Sequence, residues 1–278
     1  MNHCIFDELD FSEDTFDLTR YILTSEIRLD LLLNLYDGPK VLDEIKSELN
    51  KKPGNLLRSL NELIERKLVV KSDKTYSLSS TGYLLAMNII NLFDNWDSID
   101  NHFDFWQKHS INTFTSRFIK RINIWENAEL IESNAIELDK TFRVYFENLH
   151  ESKEINMVLP IFSKMYIDII LESLIENDAT LTLITSNPIL DLIHENDADN
   201  VFDSLMKEGR IHAMLTDHDF EMFFTSCDNF SSLFLFFDKM LFDDSEMLLI
   251  KDEENIKNAK NMFNYLEHLA KANFAMEN

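Results

Sequence analysis

Apolar residues recur at helical spacing from Ser25 to Pro39. In SEIRLDLLLNLYDGP, Ile27, Leu31, Leu32 and Leu35 fall on one face, and Gly38-Pro39 stops the helix. VLDEIKSELN follows at once, with Val41, Leu42, Ile45 and Leu49 as its inward face. A polar break, Lys51-Lys52-Pro53-Gly54, leads into NLLRSLNELIERKL. There Leu56, Leu57, Leu60, Leu63 and Ile64 form the predicted buried face, leaving Asn55, Arg58, Ser59 and Glu62 outside. Two short β-type runs, LVVK and TYSLS, are joined by Ser72-Asp73-Lys74. A further helix begins near Thr81-Gly82 and runs to about Ile99, more apolar than a single buried face requires.

The later pattern alternates. HFDFWQKHSINTF reads as a linker with an aromatic plug, FTSRFIKRINIW as a helix and AELIES as a short strand. AIELDKTFRVYFENLHES reads as a helix with Ile136, Phe142, Tyr145, Phe146 and Leu149 inward. INMVLP is a strand, FSKMYIDIILESLIEN a helix, ATLTLIT a strand, and Asn187-Pro188 opens a helix running to about Lys207. RIHAMLT, EMFFTS, FSSLFLFF and EMLLI are successive strands, and an amphipathic helix closes the chain. Strands alternating with helices, then strands following strands, predict an α/β domain with a mixed sheet. The fold class is therefore an α+β chain of two domains. Residues 1–100 form an N-terminal winged helix-turn-helix with its exit helix, and residues 101–278 the α/β domain.

A winged helix sets one helix in the major groove of DNA and lays a hairpin against the backbone. Asn55 and Arg58 lie i, i+3 near the start of the third helix, where base contacts are made, with Ser59 beside them. Lys51 and Lys52 precede that helix, and Lys71 and Lys74 flank the wing tip, where phosphates would pass. The plainer alternative is that Arg58 and Glu62 form an i, i+4 surface pair. Double-stranded DNA is the expected partner, and the apolar surplus of the helix over residues 80–99 suits either a homodimer or packing against the second domain of the same chain.

Charge modifies this picture. The chain of 278 residues carries a net charge of −24, which opposes phosphate binding. Between Lys40 and Tyr76, however, nine bases face six acids. A mildly basic module thus sits on a strongly acidic body, which would turn its basic face to DNA and weaken non-specific binding. An acidic body serving solubility alone gives the same balance.

The chemistry expected of an enzyme is absent from the pattern. The four glycines, Gly38, Gly54, Gly82 and Gly209, are too far apart for a dinucleotide fingerprint or a P-loop. Cys4 and Cys227 form neither a CxxC nor a zinc quartet, and there is no GxSxG elbow. His212, Asp217, His218 and Asp219, with His194, make weak metal spacing, so no metal and no cofactor is expected. The Asp243-Asp244 and Glu253-Glu254 pairs carry no catalytic weight in so acidic a chain. With no signal-like N-terminus and no apolar run of membrane-spanning length, a soluble, cytoplasmic protein is expected, not a membrane one.

In the second domain, Thr185, Ser186 and Asn187 lead from a strand end into a helix N-terminus, where a small molecule or ion could bind, with His218 nearby. A simple helix cap by Ser186 or Asn187 is the competing reading.

The whole chain resembles archaeal transcriptional regulators of the methanogenesis-regulator (FilR-like) type, which pair an ArsR-like winged helix with a C-terminal domain. The resemblance is carried by Ser25 to Pro39, Leu56 to Leu68, Tyr76-Ser77-Leu78 with Thr81-Gly82, FWQKHS at Phe105 to Ser110, LITSNPIL at Leu183 to Leu190, and FTSCDNFSSLFLFFDKMLFDD. It implies a DNA-binding homodimer whose second domain senses an effector. Cysteine-based redox or metal sensing, seen among related regulators, finds no residues in Cys4 and Cys227. The alternative from another class is a protein-interaction adaptor that uses the winged helix as a docking fold without specific DNA binding.

Overall fold

The computed structural model describes residues 13–238 and 241–276. Cys4 and the acidic segment ahead of residue 13 lie outside the described residues. The chain divides into two units, one ending at Phe93 and the other starting at Asp94, within a single helix.

The first unit runs α1 (Glu13–Leu23), α2 (Glu26–Asn34), β1 (Lys40–Val41), α3 (Leu42–Leu49), α4 (Pro53–Glu65), β2 (Val69–Ser72), β3 (Thr75–Leu78) and the start of α5 (Ser80–Asn101). Local chemistry sets the boundaries. Gly38, at φ 139, turns the chain after α2; Asn50 takes a left-handed φ of 49 at the end of α3; Pro53 begins α4, where its missing N–H costs nothing. The strands form an antiparallel sheet in the order β1-β3-β2, with Lys40 opposite Tyr76 and Ser72 opposite Thr75. Leu31, Ile45, Leu56, Leu60, Leu63 and Ala86 meet in one core. This is a winged helix-turn-helix.

Two positions of α4 depart from expectation. Ser59 is buried, 8% exposed, whereas Leu57 is 38% exposed. The buried stripe is Leu56, Ser59, Leu60 and Leu63, the i, i+3, i+4, i+7 face, and Leu57 stands one residue off it.

The second unit continues from α5 through α6 (Phe103–Lys108), α7 (Ser116–Ile119), a 3-10 turn (Ile122–Trp125), β4 (Glu129–Glu132), α8 (Lys140–Leu149), β5 (Glu154–Val158), α9 (Lys164–Asn177), β6 (Thr180–Thr185), α10 (Asn187–Asn196), α11 (Val201–Lys207), β7 (Ile211–Leu215), β8 (Met222–Cys227), β9 (Ser231–Asp238), β10 (Leu241–Phe242), β11 (Glu246–Ile250) and α12 (Glu253–Met276). The sheet order is β4-β11-β9-β8-β5-β6-β7, with β10 paired to β9. β5, β6 and β7 are parallel; the other pairings are antiparallel. Successive strand residues point to opposite faces. Phe223, Phe234 and Leu249 meet α8, α9, α10 and α11 on one side, while Phe224, Leu233 and Leu248 meet α6, α7 and α12 on the other. Both faces are covered, which is why FSSLFLFF reads as a continuous apolar run.

Four further expectations change here. HFDFWQKHSINTF is not a linker: α6 buries Phe105, and Trp106 Nε1 donates to the Ser98 carbonyl at 3.1 Å. FTSRFIKRINIW is two short turns of helix rather than one helix. Ile136 is 94% exposed, because α8 starts only at Lys140 and the Asn134 side chain folds residues 134–137 into a turn. The helix expected to reach Lys207 breaks after Asn196, where Asp197 accepts the N–H groups of Val201 and Asp203 and starts α11. No described helix is long and apolar enough to cross a membrane.

Candidate functional site

Helix α4 presents an exposed ridge from its N-terminus: Lys52, Asn55, Leu57, Arg58 and Asn61. The Arg58 side chain is 82% exposed, and its Nε donates to Glu62 Oε1 at 2.9 Å. The expected i, i+4 pair is thus present, and it leaves most of the guanidinium facing solvent. Lys52 and Asn55 are open beside it. Lys51 is turned elsewhere: its Nζ pairs with Glu26 at 2.5 Å and Asp30 at 3.4 Å on α2, and the Glu26 hydrogen bond raises the ammonium pKa. Ser59 faces the core, so the expectation that it contacts bases is corrected.

The wing is a two-residue hairpin. Asp73 takes a left-handed φ of 53, and Thr75 Oγ1 donates to the Ser72 carbonyl at 2.8 Å. Lys74 is exposed at its tip. Lys71 is also exposed, with its Nζ 5.2 Å from the Tyr76 ring centre. The wing meets α5 closely at its base. A Cβ on Gly82 would stand 2.0 Å from the Leu68 carbonyl oxygen. Ser79 locks this junction, donating through Oγ to the Lys67 carbonyl and accepting the Gly82 N–H.

Behind α4 lies a cluster that sequence reading missed. Tyr21 Oη donates to Glu62 Oε2 at 2.9 Å, and Arg28 Nη1 reaches the same oxygen at 3.2 Å. The guanidinium carbons of Arg28 and Arg66 stand 3.7 and 3.9 Å from the Tyr21 ring centre. Glu62 therefore serves Arg58, Arg28 and Tyr21 together. The Arg58 and Tyr21 hydrogen bonds lead the causes that hold its carboxyl below the usual range. The Arg58–Glu62 pair at spacing four was visible in the sequence; the link to Tyr21, 41 residues away, carried no local signal.

In the second unit the ends of β5, β6 and β7 open on a cavity of about 270 Å³, lined by Leu159, Pro160, Thr185, Ser186, Thr216 and His218 among others. Three of the four expected residues come together there. Asn187 is exposed and does not line it. The Thr185 hydroxyl is buried and donates to the Leu159 carbonyl at 2.8 Å. Ser186 occupies the N-cap position of α10, yet its hydroxyl makes no capping bond. The His218 N–H donates to Thr216 Oγ1, and its Nε2 lies 3.3 Å from the Thr113 carbonyl. Asp217 and Asp219 complete the lining, making the mouth unfavourable to anions.

Comparison with known proteins gives two family matches. Residues 16–96 match the N-terminal domain, and residues 138–268 the middle domain, of the methanogenesis regulatory protein FilR1. No curated protein matches the chain. Among solved structures, the chain is similar to TrmBL2, an archaeal chromatin protein, at 14% identity and a TM-score of 0.40, covering 91% of this chain and 97% of that one. NucT from Helicobacter pylori aligns at 15% identity and a TM-score of 0.37, over 51% of this chain and 96% of its own. Quinone-bound YodB from B. subtilis aligns at 22% identity and a TM-score of 0.28, over 30% of this chain and 94% of its own. At these scores the neighbours lend nothing to a functional reading. The two domain matches lie in the family's own order and together span most of the chain, which belongs to the FilR1 family of regulatory proteins.

Proposed function

We propose that this protein is a DNA-binding transcriptional regulator that works as a homodimer and adjusts its DNA affinity to an effector held in its second unit. The observation that carries this reading is the exposed start of α4, where Lys52, Asn55 and Arg58 stand open, together with Lys71 and Lys74 on the wing. A helix of this kind reads base edges, and lysines on a hairpin neutralise phosphates. Supporting a dimer, α5 leaves Leu84, Leu92 and Phe93 exposed, an apolar surface a lone helix would not maintain. Supporting an effector, the cavity at the parallel strand ends gathers Ser186, Thr216 and His218 where ligands of α/β sheets bind. An effector must distinguish two conformations by about 1–3 kcal/mol to act as a switch. The protein acts by binding, and no reaction is assigned to it.

An electrophoretic shift with genomic fragments over a salt series tests the reading. Affinity for a preferred fragment should fall steeply with salt. No shift on any fragment would leave the winged helix as a protein-docking fold.

A further inference from the structure

A second site stands apart from both surfaces, in the second unit. His109, at the end of α6, is buried between the Phe105 and Phe237 rings. Its Nδ1 donates to the Phe105 carbonyl at 2.6 Å, and its Nε2 lies 3.0 Å from Asp243 Oδ2. Asp243, buried between β10 and β11, has its other oxygen fixed by the Ser245 N–H at 2.8 Å and the Ser245 hydroxyl at 2.6 Å. Glu246 opens β11. Its Oε1 pairs with Lys108, while its Oε2 is buried with no hydrogen-bond partner among the described residues. One ligand atom from each of His109, Asp243 and Glu246 lies within 4.8 Å of the others.

We propose that His109, Asp243 and Glu246 bind a divalent transition-metal cation of the Zn²⁺ class. Two carboxylates and an imidazole, most of them withdrawn from water, are costly unless a positive charge is placed among them. Lys108 meets only one oxygen of Glu246, leaving the other unpaired. The imidazole is set for ligation: an Nδ1–H held by a backbone carbonyl fixes the tautomer and leaves Nε2 for the metal. The Ser245 contacts orient Asp243 Oδ2 in the same way. Ligand atoms about 2.1 Å from one cation stand about 3–4 Å apart, so the His109–Asp243 distance already fits, and the Glu246 oxygen, within 4.8 Å of both, would draw in to join them. A donor set of one imidazole and two carboxylates suits Zn²⁺, Mn²⁺ or Fe²⁺ and disfavours soft Cu⁺. Water would complete the coordination. Such a cation would tie α6 to the β10–β11 connection. It depends on neither the DNA reading nor the strand-end cavity.

The test uses the full chain, stripped with a chelator that is then removed, and titrated with Co²⁺ while visible absorption is followed. One equivalent should bind with d–d bands, and Zn²⁺ should abolish them. Glu246→Gln, at the most accessible of the three positions, should weaken Co²⁺ binding by about tenfold or more at an unchanged far-ultraviolet dichroism spectrum. Asp243→Asn should do the same. Absence of d–d bands at millimolar Co²⁺, or a Glu246→Gln variant that binds like wild type, overturns the proposal and leaves His109–Asp243 as a hydrogen-bonded ion pair only.

Discussion

Gly82 sits directly against the Leu68 backbone, with space for a hydrogen but not for a methyl group: a Cβ would come within 2.0 Å of the carbonyl oxygen. That oxygen also accepts the Ser79 N–H, so it is not free to move. Gly82→Ala should therefore force the wing and α5 apart and cost about 3 kcal/mol. Urea denaturation of the full chain measures it. A loss below the roughly 0.5 kcal/mol of a surface change would show that the junction yields easily.

Arg58→Ala should weaken binding to a preferred DNA site by about 1–3 kcal/mol and spare random DNA, as expected if the exposed guanidinium contacts base edges. Lys71→Ala and Lys74→Ala should weaken both DNAs alike and reduce the salt slope by about one each. Competition binding on the two DNAs distinguishes these patterns, and equal losses for Arg58→Ala would reduce it to a phosphate contact.

Glu62 gives the first unit a pH dependence of defined sign. Its hydrogen bonds from Arg58 and Tyr21, with Arg28 adding to them, depress the folded-state pKa despite the opposing cost of burial. The stabilisation is fully present above the unfolded carboxyl value of about 4.3 and is lost as pH falls through the depressed folded value. Stability should thus decline on the acid side. Glu62→Gln should flatten part of that decline while lowering stability at neutral pH. Thermal melts between pH 3 and 7 on the order of half a unit apart would show it; parallel curves for wild type and variant would refute it.

Phe93→Glu should give folded monomers that bind single half-sites weakly, since it charges the exposed apolar surface of α5. Sedimentation velocity settles the matter, and a wild type already monomeric at micromolar concentration removes the basis for the expectation.

The strand-end cavity should bind a polar, uncharged or cationic small molecule, because Asp217 and Asp219 oppose anions at its mouth. In a thermal-shift screen, a ligand at 100 times its dissociation constant should add about 2.7 kcal/mol of stability. Ser186→Ala should lose this response, while Asn187→Ala, outside the lining, should keep it. The reverse result would place the ligand elsewhere.

The winged helix was legible because its signals are local. Gly38-Pro39, Pro53 and the Ser72-Asp73-Lys74 turn mark boundaries within a few residues of where they act. What failed locally failed by phase: Leu57 lies one step of about 100° beyond Leu56, off the buried stripe that Ser59 joins, and Ile136 precedes the helix whose period it was assigned. The basic positions around α4 and the wing were found from charge, yet charge alone could not show that Lys51 is spent on Glu26 and Asp30. Contacts between distant segments left no trace in the pattern. Tyr21 with Glu62, and His109 with Asp243, 134 residues apart, depend on the folded chain for their meeting.

β11 lies between β4 and β9, so residues 246–250 supply a partner that residues 129–132 must await. During synthesis the winged helix has all its strands once Leu78 has emerged, whereas the second sheet stays open-edged until Ile250 has followed. Closing it then requires pairing across more than 100 residues, a slow step beside the local contacts of the first unit. The ribosome therefore delivers the unit that holds α4 and the wing lysines well before the unit that would govern it, and for that interval β4 offers an unpaired edge to any neighbouring chain.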